Sequence, residues 1–116
     1  MSILKKIEDV KGITTAHGIG IKQVLLRDGD TDSAVTQIAV TTLNAGEIVE
    51  EHIHHTMDEH YIILTGKGEM FIEGKRYELN KETYLLISKG ERHAMKALSD
   101  MKFIIIGIAY DLSLIH

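Results

Sequence analysis

Residues 46–66 read GEIVEEHIHHTMDEHYIILTG, and this stretch decides the fold and places its chemistry. Successive residues of a strand point to opposite faces, so residues two apart share one. His52 and His54 therefore project their imidazoles side by side, with Ile53 turned to the other face. Residues 55–58 are turn-like and allow the chain to run back antiparallel. Glu59 then returns to the level of the histidines at the start of the next strand, adding a negative charge that two neutral imidazoles lack. Alternation carries Glu50 to the face of His52, and Tyr61 and Ile63 to that of Glu59. By the same parity His55 and His60 point outward.

Outside this stretch the pattern is of short strands broken by Gly, Asn and Asp. Ile21–Arg27 and Ala34–Leu43 read as strands, closed by Asp28-Gly29-Asp30 and Asn44-Ala45-Gly46. Val, Ile and Thr dominate the second, and branched side chains suit a pleated surface. Further strands are expected at Ile48–His54, Glu59–Thr65, Glu69–Glu73, Arg76–Leu79, Tyr84–Ile87, His93–Lys96 and Lys102–Tyr110. Glu73-Gly74-Lys75 is a tight hairpin signal, and Thr65-Gly66-Lys67-Gly68 reads as another. About nine strands without a helical period point to an all-β sandwich or barrel. Only Ile3–Val10 suggests a helical turn. No repeat or linker-like shift divides the 116 residues, so they read as one domain.

His93 follows a glycine turn and opens a strand, which lets it close the site from across the barrel. Three His and one Glu are borderline and hard donors, suited to one divalent ion: iron, manganese, nickel, cobalt, zinc or copper. Met95, two residues on, packs the pocket wall. His17 lies in a Gly-rich stretch without a nearby partner and reads as a loop residue, and His116 is terminal.

The arrangement resembles the cupin family. That family's first motif is G-x5-H-x-H-x3/4-E-x6-G, and Gly46, His52, His54, Glu59 and Gly66 fill every fixed position. Its second, G-x5-P-x-G-x2-H-x3-N, is matched at Gly90 and His93. Glu82, Ser88 and Ala97 replace its first glycine, proline and asparagine. The resemblance implies a double-stranded β-helix (cupin or jelly-roll-like) barrel, metal near its open end, with His52, His54, Glu59 and His93 as ligands. It also implies a homodimer, to which the apolar tail Leu112–Ile115 would be a natural contributor.

Composition narrows the function. The chain has no cysteine, which removes disulfide frameworks, thiolate metal sites and cysteine nucleophiles, and fits the reducing cytoplasm. A formal net charge of −4 without a Lys/Arg cluster argues against nucleic acid. The longest apolar run, Phe103–Tyr110, is too short to cross a bilayer and reads as a buried strand. Four protein ligands on an octahedral ion leave two open positions. The expected partner is thus a small oxygenated molecule, and the expected function a metal-dependent enzyme of dioxygenase or isomerase type. An isomerase needs a positioned base, for which Glu50 and Tyr61 are the candidates. A non-catalytic ligand-binding or sensor module and a purely structural metal site are the alternatives.

Overall fold

The computed structural model describes residues 2–110. The tail at Leu112–Ile115 and His116 lie outside the described residues. After a 3-10 turn at Ile7–Asp9 come strands β1 (Ile13–Thr14), β2 (Ile21–Arg27), β3 (Val35–Leu43), β4 (Ile48–His52) and β5 (Met57–Thr65). They are followed by β6 (Gly68–Ile72), β7 (Lys75–Leu79), β8 (Thr83–Ile87), β9 (His93–Ala97) and β10 (Met101–Ala109). Two antiparallel sheets result, in the orders β1-β2-β3-β10-β5-β8 and β4-β9-β6-β7, facing each other as a jelly-roll sandwich. No helix among the described residues is long and apolar enough to cross a membrane.

Alternation builds the core between the sheets. From the six-stranded sheet come Leu43, Tyr61, Ile63, Ile87, Met101 and Phe103. From the other come Met70, Ile72, Leu79, Met95 and Ala97. The apolar run of β10 lies in mid-sheet, paired with β3 on one side and β5 on the other, with Phe103 and Gly107 buried, Ile104, Ile105 and Ile106 half-buried, and Ile108 and Tyr110 exposed. Pairing on both sides leaves this strand no free edge, but its outer face is not covered among the described residues, so the expectation of a wholly buried strand holds only for its inward-facing residues.

The hairpin expected at Glu73-Gly74 joins β6 to β7, with both residues at positive φ (49° and 77°). This is the conformation that a two-residue loop needs to match strand twist. Thr65-Gly66-Lys67-Gly68 is different, and the hairpin expected there does not form. Strands β5 and β6 belong to opposite sheets, so the turn carries the chain across the sandwich. Gly66 has φ +89°, and a Cβ there would lie 2.2 Å from the Asp100 carbonyl oxygen and 2.8 Å from Met101 Cα. Backbone cannot yield as a flexible side chain can. Gly66→Ala should therefore cost more than about 2 kcal/mol in denaturant unfolding, from strain and collision together.

Two further differences shape the site. Strand β4 ends at His52, leaving His54 in the connection to β5. And β1, too short to signal itself, pairs with β2 to form a hairpin whose loop, residues 15–20, reaches the mouth of the sandwich.

Candidate metal centre

One end of the sandwich brings together donors from both sheets. His52 and His93 are cross-strand partners on β4 and β9, with ring centroids 4.1 Å apart. Glu59 stands on β5, where its neighbours are Ile87 of β8 and Gly107 of β10. His54 enters from the β4–β5 connection and sets its Nε2 3.2 Å from Glu59 Oε1, the same distance as His93 Nε2. One donor atom from each of His52, His54, Glu59 and His93 lies within 4.8 Å of the others. Donors opposed across one ion at about 2.1 Å would be about 4.2 Å apart. A closure of a few tenths of an ångström would therefore seat a single ion.

The hydrogen bonds behind the rings support the same fit. His52 Nδ1 lies 2.9 Å from the Glu50 carbonyl oxygen and His93 Nδ1 2.9 Å from that of Glu91. A carbonyl only accepts, so each Nδ1 carries the proton and donates. In the neutral ring this leaves the Nε2 lone pair free to face an ion. The four residues could hold a metal, and they fit one chemically. His93 and Glu59 are buried, whereas His52 and His54 are half-exposed, so the cluster is closed behind and open in front.

The front opens on a cavity of about 170 Å3, smaller than the roughly 300–1,000 Å3 of sites for drug-sized ligands. Ile19, Leu43, Val49, Met95, Phe103 and Ile105 supply its apolar wall. Tyr61 also lines it, its ring stacked on Phe103 at 5.8 Å. Burial, reinforced by Glu59, holds the Tyr61 phenol well above its usual pKa. It is thus a hydrogen-bond donor at neutral pH and a poor base.

Glu50 does not line the cavity; it is exposed. The cause is a β-bulge. Val49 pairs with Met95 and His52 with His93, so three steps along β4 answer two along β9. The extra residue breaks the two-residue alternation, turning both Val49 and His52 inward and Glu50 out. Only the carbonyl of Glu50 reaches the site.

His17 belongs to the loop expected of it, yet its ring lies 4.4 Å from that of His52 and lines the cavity. Sequence reasoning missed this because β1 spans two residues and gives no periodic signal. Lys22, Gln37 and Thr41 were missed as well. Alternation from Val24 and Ala39 would have found them, since both are buried. His55 is exposed, and His60 sits on the outer sheet face, its Nδ1 2.6 Å from the Tyr84 hydroxyl.

Charge in the metal-free cluster is set by burial working against pairing. Burial alone would raise the Glu59 carboxyl, but hydrogen bonds from His54 and His93 overcome it and bring the pKa from 4.5 to about 2. For His93, burial lowers the pKa and Glu59 more than restores it, leaving it above 6.5. Burial lowers both His52 and His17. The stabilisation from Glu59 is thus present above 4.5 and lost as pH falls toward 2, whereas that from His93 is present below 6.5 and lost as pH rises through its raised pKa. His52 and His17 cost stability below 6.5, so the pair must be isolated by difference. The melting-temperature gap between metal-free wild type and Glu59→Gln should be widest between pH 4.5 and 6.5 and narrow on both sides. A gap independent of pH would show that the pair is not charged. Metal binding should run the other way, tightening as pH rises, because protons compete for the ring nitrogens.

Comparison with known proteins agrees with this frame. A family model described as Cupin domain matches residues 39–108, which include all four donors. An uncharacterized protein of Aquifex aeolicus is 22% identical over 101 residues, 87% of this chain and 81% of that protein. The crystal structure of a predicted oxalate decarboxylase from Thermotoga maritima is similar with a TM-score of 0.84 at 21% identity, over 93% of this chain and 100% of that one. Ectoine synthase from P. lautus gives 0.80 at 19%, over 93% of this chain and 78% of that one. At these identities the structural likeness speaks to fold.

Proposed function

The chain belongs to the cupin family, and from that premise we propose that it is a divalent-metal-dependent enzyme acting on a small oxygenated molecule. The observation that carries the reading is a donor set closed at the back by His93 and Glu59 and open in front onto a cavity of small-molecule size. A saturated structural site would have no such opening. When bound, a divalent ion there supplies Lewis acidity and, if redox-active, a path for oxygen chemistry. The chain's own residues do the rest. The apolar wall excludes water, and Tyr61 offers a fixed hydrogen-bond donor. Glu50 faces away and Tyr61 stays protonated, so neither serves as the base that an isomerase needs. His17, whose ring lines the cavity beside His52 and whose pKa burial lowers, is the remaining candidate base, so oxygenase-type and isomerase-type chemistry both stay within this reading.

The same reading takes the chain to be cytoplasmic and homodimeric. The outer face of the six-stranded sheet supports a dimer: Ile104, Ile62 and Tyr84 lie in one cross-strand row and Ile38, Ile106, His60 and Leu86 in the next, with Tyr84 and Leu86 exposed and the isoleucines half-buried. Apolar rows of this kind are what a second copy covers.

Elemental analysis of protein purified without chelators tests the central claim, repeated on His52→Ala and His93→Ala. Equal metal content in all three would overturn it. Oxygen-electrode assays of the iron-loaded protein against enediols, flavonoids and small diketones then test the chemistry. Tight binding of such a molecule with neither uptake nor product would identify a ligand-binding module instead.

A further inference from the structure

The cavity has a second polar wall, built by β2 and β3 and distant in sequence from the metal donors. Lys22 on β2 pairs with Thr41 on β3. Thr41 and Gln37 point to the same inner face as the fully buried Ala39 between them. All three side chains line the cavity. Lys22 is half-buried there, and its Nζ donates to Gln37 Oε1 at 3.0 Å. Among the described residues it makes no ion pair. An ammonium group has three donors, and the amide oxygen satisfies one.

The charge balance of the cavity is equally one-sided. Glu59 is the only carboxylate among the lining residues, and its Oε1 is already shared by His54 and His93. With a divalent ion in place the donor set carries one net positive charge, and Lys22 adds a second. Two positive centres lining a small, largely apolar cavity favour an anion that pairs with both.

Resting on the metal-dependent reading above, we propose that the substrate is a small carboxylate anion. Its carboxylate is held by Lys22, with Gln37 fixing the ammonium and Thr41 beside it. A second oxygen function faces the metal donors, and a short apolar middle lies along Phe103 and Ile105. Lys22 is on this account the residue that selects acids over neutral analogues.

The test uses unbranched ω-hydroxy acids of three to six carbons, each with a single carboxylate, and their primary amides as probes. Binding is read by thermal shift and titration calorimetry on both metal-loaded and metal-depleted protein, with metal content measured separately. At least one acid should stabilise wild type, and its amide should bind about 10-fold or more weaker, as loss of one charge-assisted hydrogen-bonded contact implies. Lys22→Met should abolish that preference for the acid while leaving metal content and the unliganded melting temperature unchanged. Lys22→Arg should keep it in part. A merely structural lysine would shift the melting temperature without touching the acid-to-amide ratio. The proposal is overturned if acids and amides bind wild type alike, if Lys22→Met keeps the preference, or if no probe binds in either metal state. Absence of metal from wild type overturns the earlier reading instead, because a Lys22-dependent preference for acids in the metal-depleted protein is read independently.

Discussion

His93→Ala should bind a divalent ion at least about 100-fold more weakly than wild type in a chelator competition titration. Loss of an outer hydrogen bond to a ligand typically costs 10- to 100-fold in affinity, and here the ligand itself goes. His93 is 2% exposed, so water cannot readily take its place. The substitution also leaves Glu59 buried with one of its two imidazole partners gone. Wild-type affinity in the variant would mean that His93 is only a core residue, and the centre would then rest on His52, His54 and Glu59 alone.

Phe103→Ala should lower stability by about 3–5 kcal/mol, the range for truncating a buried aromatic residue. For a chain of this size that corresponds to a fall of roughly 10–20 °C in melting temperature. Phe103 is 2% exposed, sits between Thr41 and Ile63 in the sheet, and stacks on Tyr61. Its neighbours are held by two strand pairings and cannot collapse into the gap. The vacated space adds to the cavity it lines, so the variant should also accept bulkier ligands. A loss under about 1 kcal/mol would show that the site relaxes, which the pairing on both sides argues against.

What was legible in the sequence followed from local rules. The spacing of His52, His54 and Glu59 is a statement about a strand, a turn and a returning strand, and the chain obeys it closely enough to gather the donors. The Glu73-Gly74 loop was legible because its conformation is dictated by two residues. What escaped depends on partners distant in sequence. Gly66 and Gly68 look locally like a hairpin, and only the pairing of β5 with β10 and β8, and of β6 with β9 and β7, reveals a crossing. The bulge that turns Glu50 outward is likewise a mismatch between β4 and β9, invisible in either alone. His17 and Lys22 reach the cavity through a hairpin whose first strand is two residues long.

The donors also differ in what they are attached to. His52 and His93 ride on the four-stranded sheet, Glu59 on the six-stranded sheet, and His54 on the link between them. An ion gripping all four would act as a hasp across the open end of the sandwich. The two sheets could not part there until it let go, so departure of the ion would gate unfolding and set the lifetime of the folded chain. The loaded protein should then resist proteolysis for times that track how fast a chelator strips it, even where its equilibrium stability changes little.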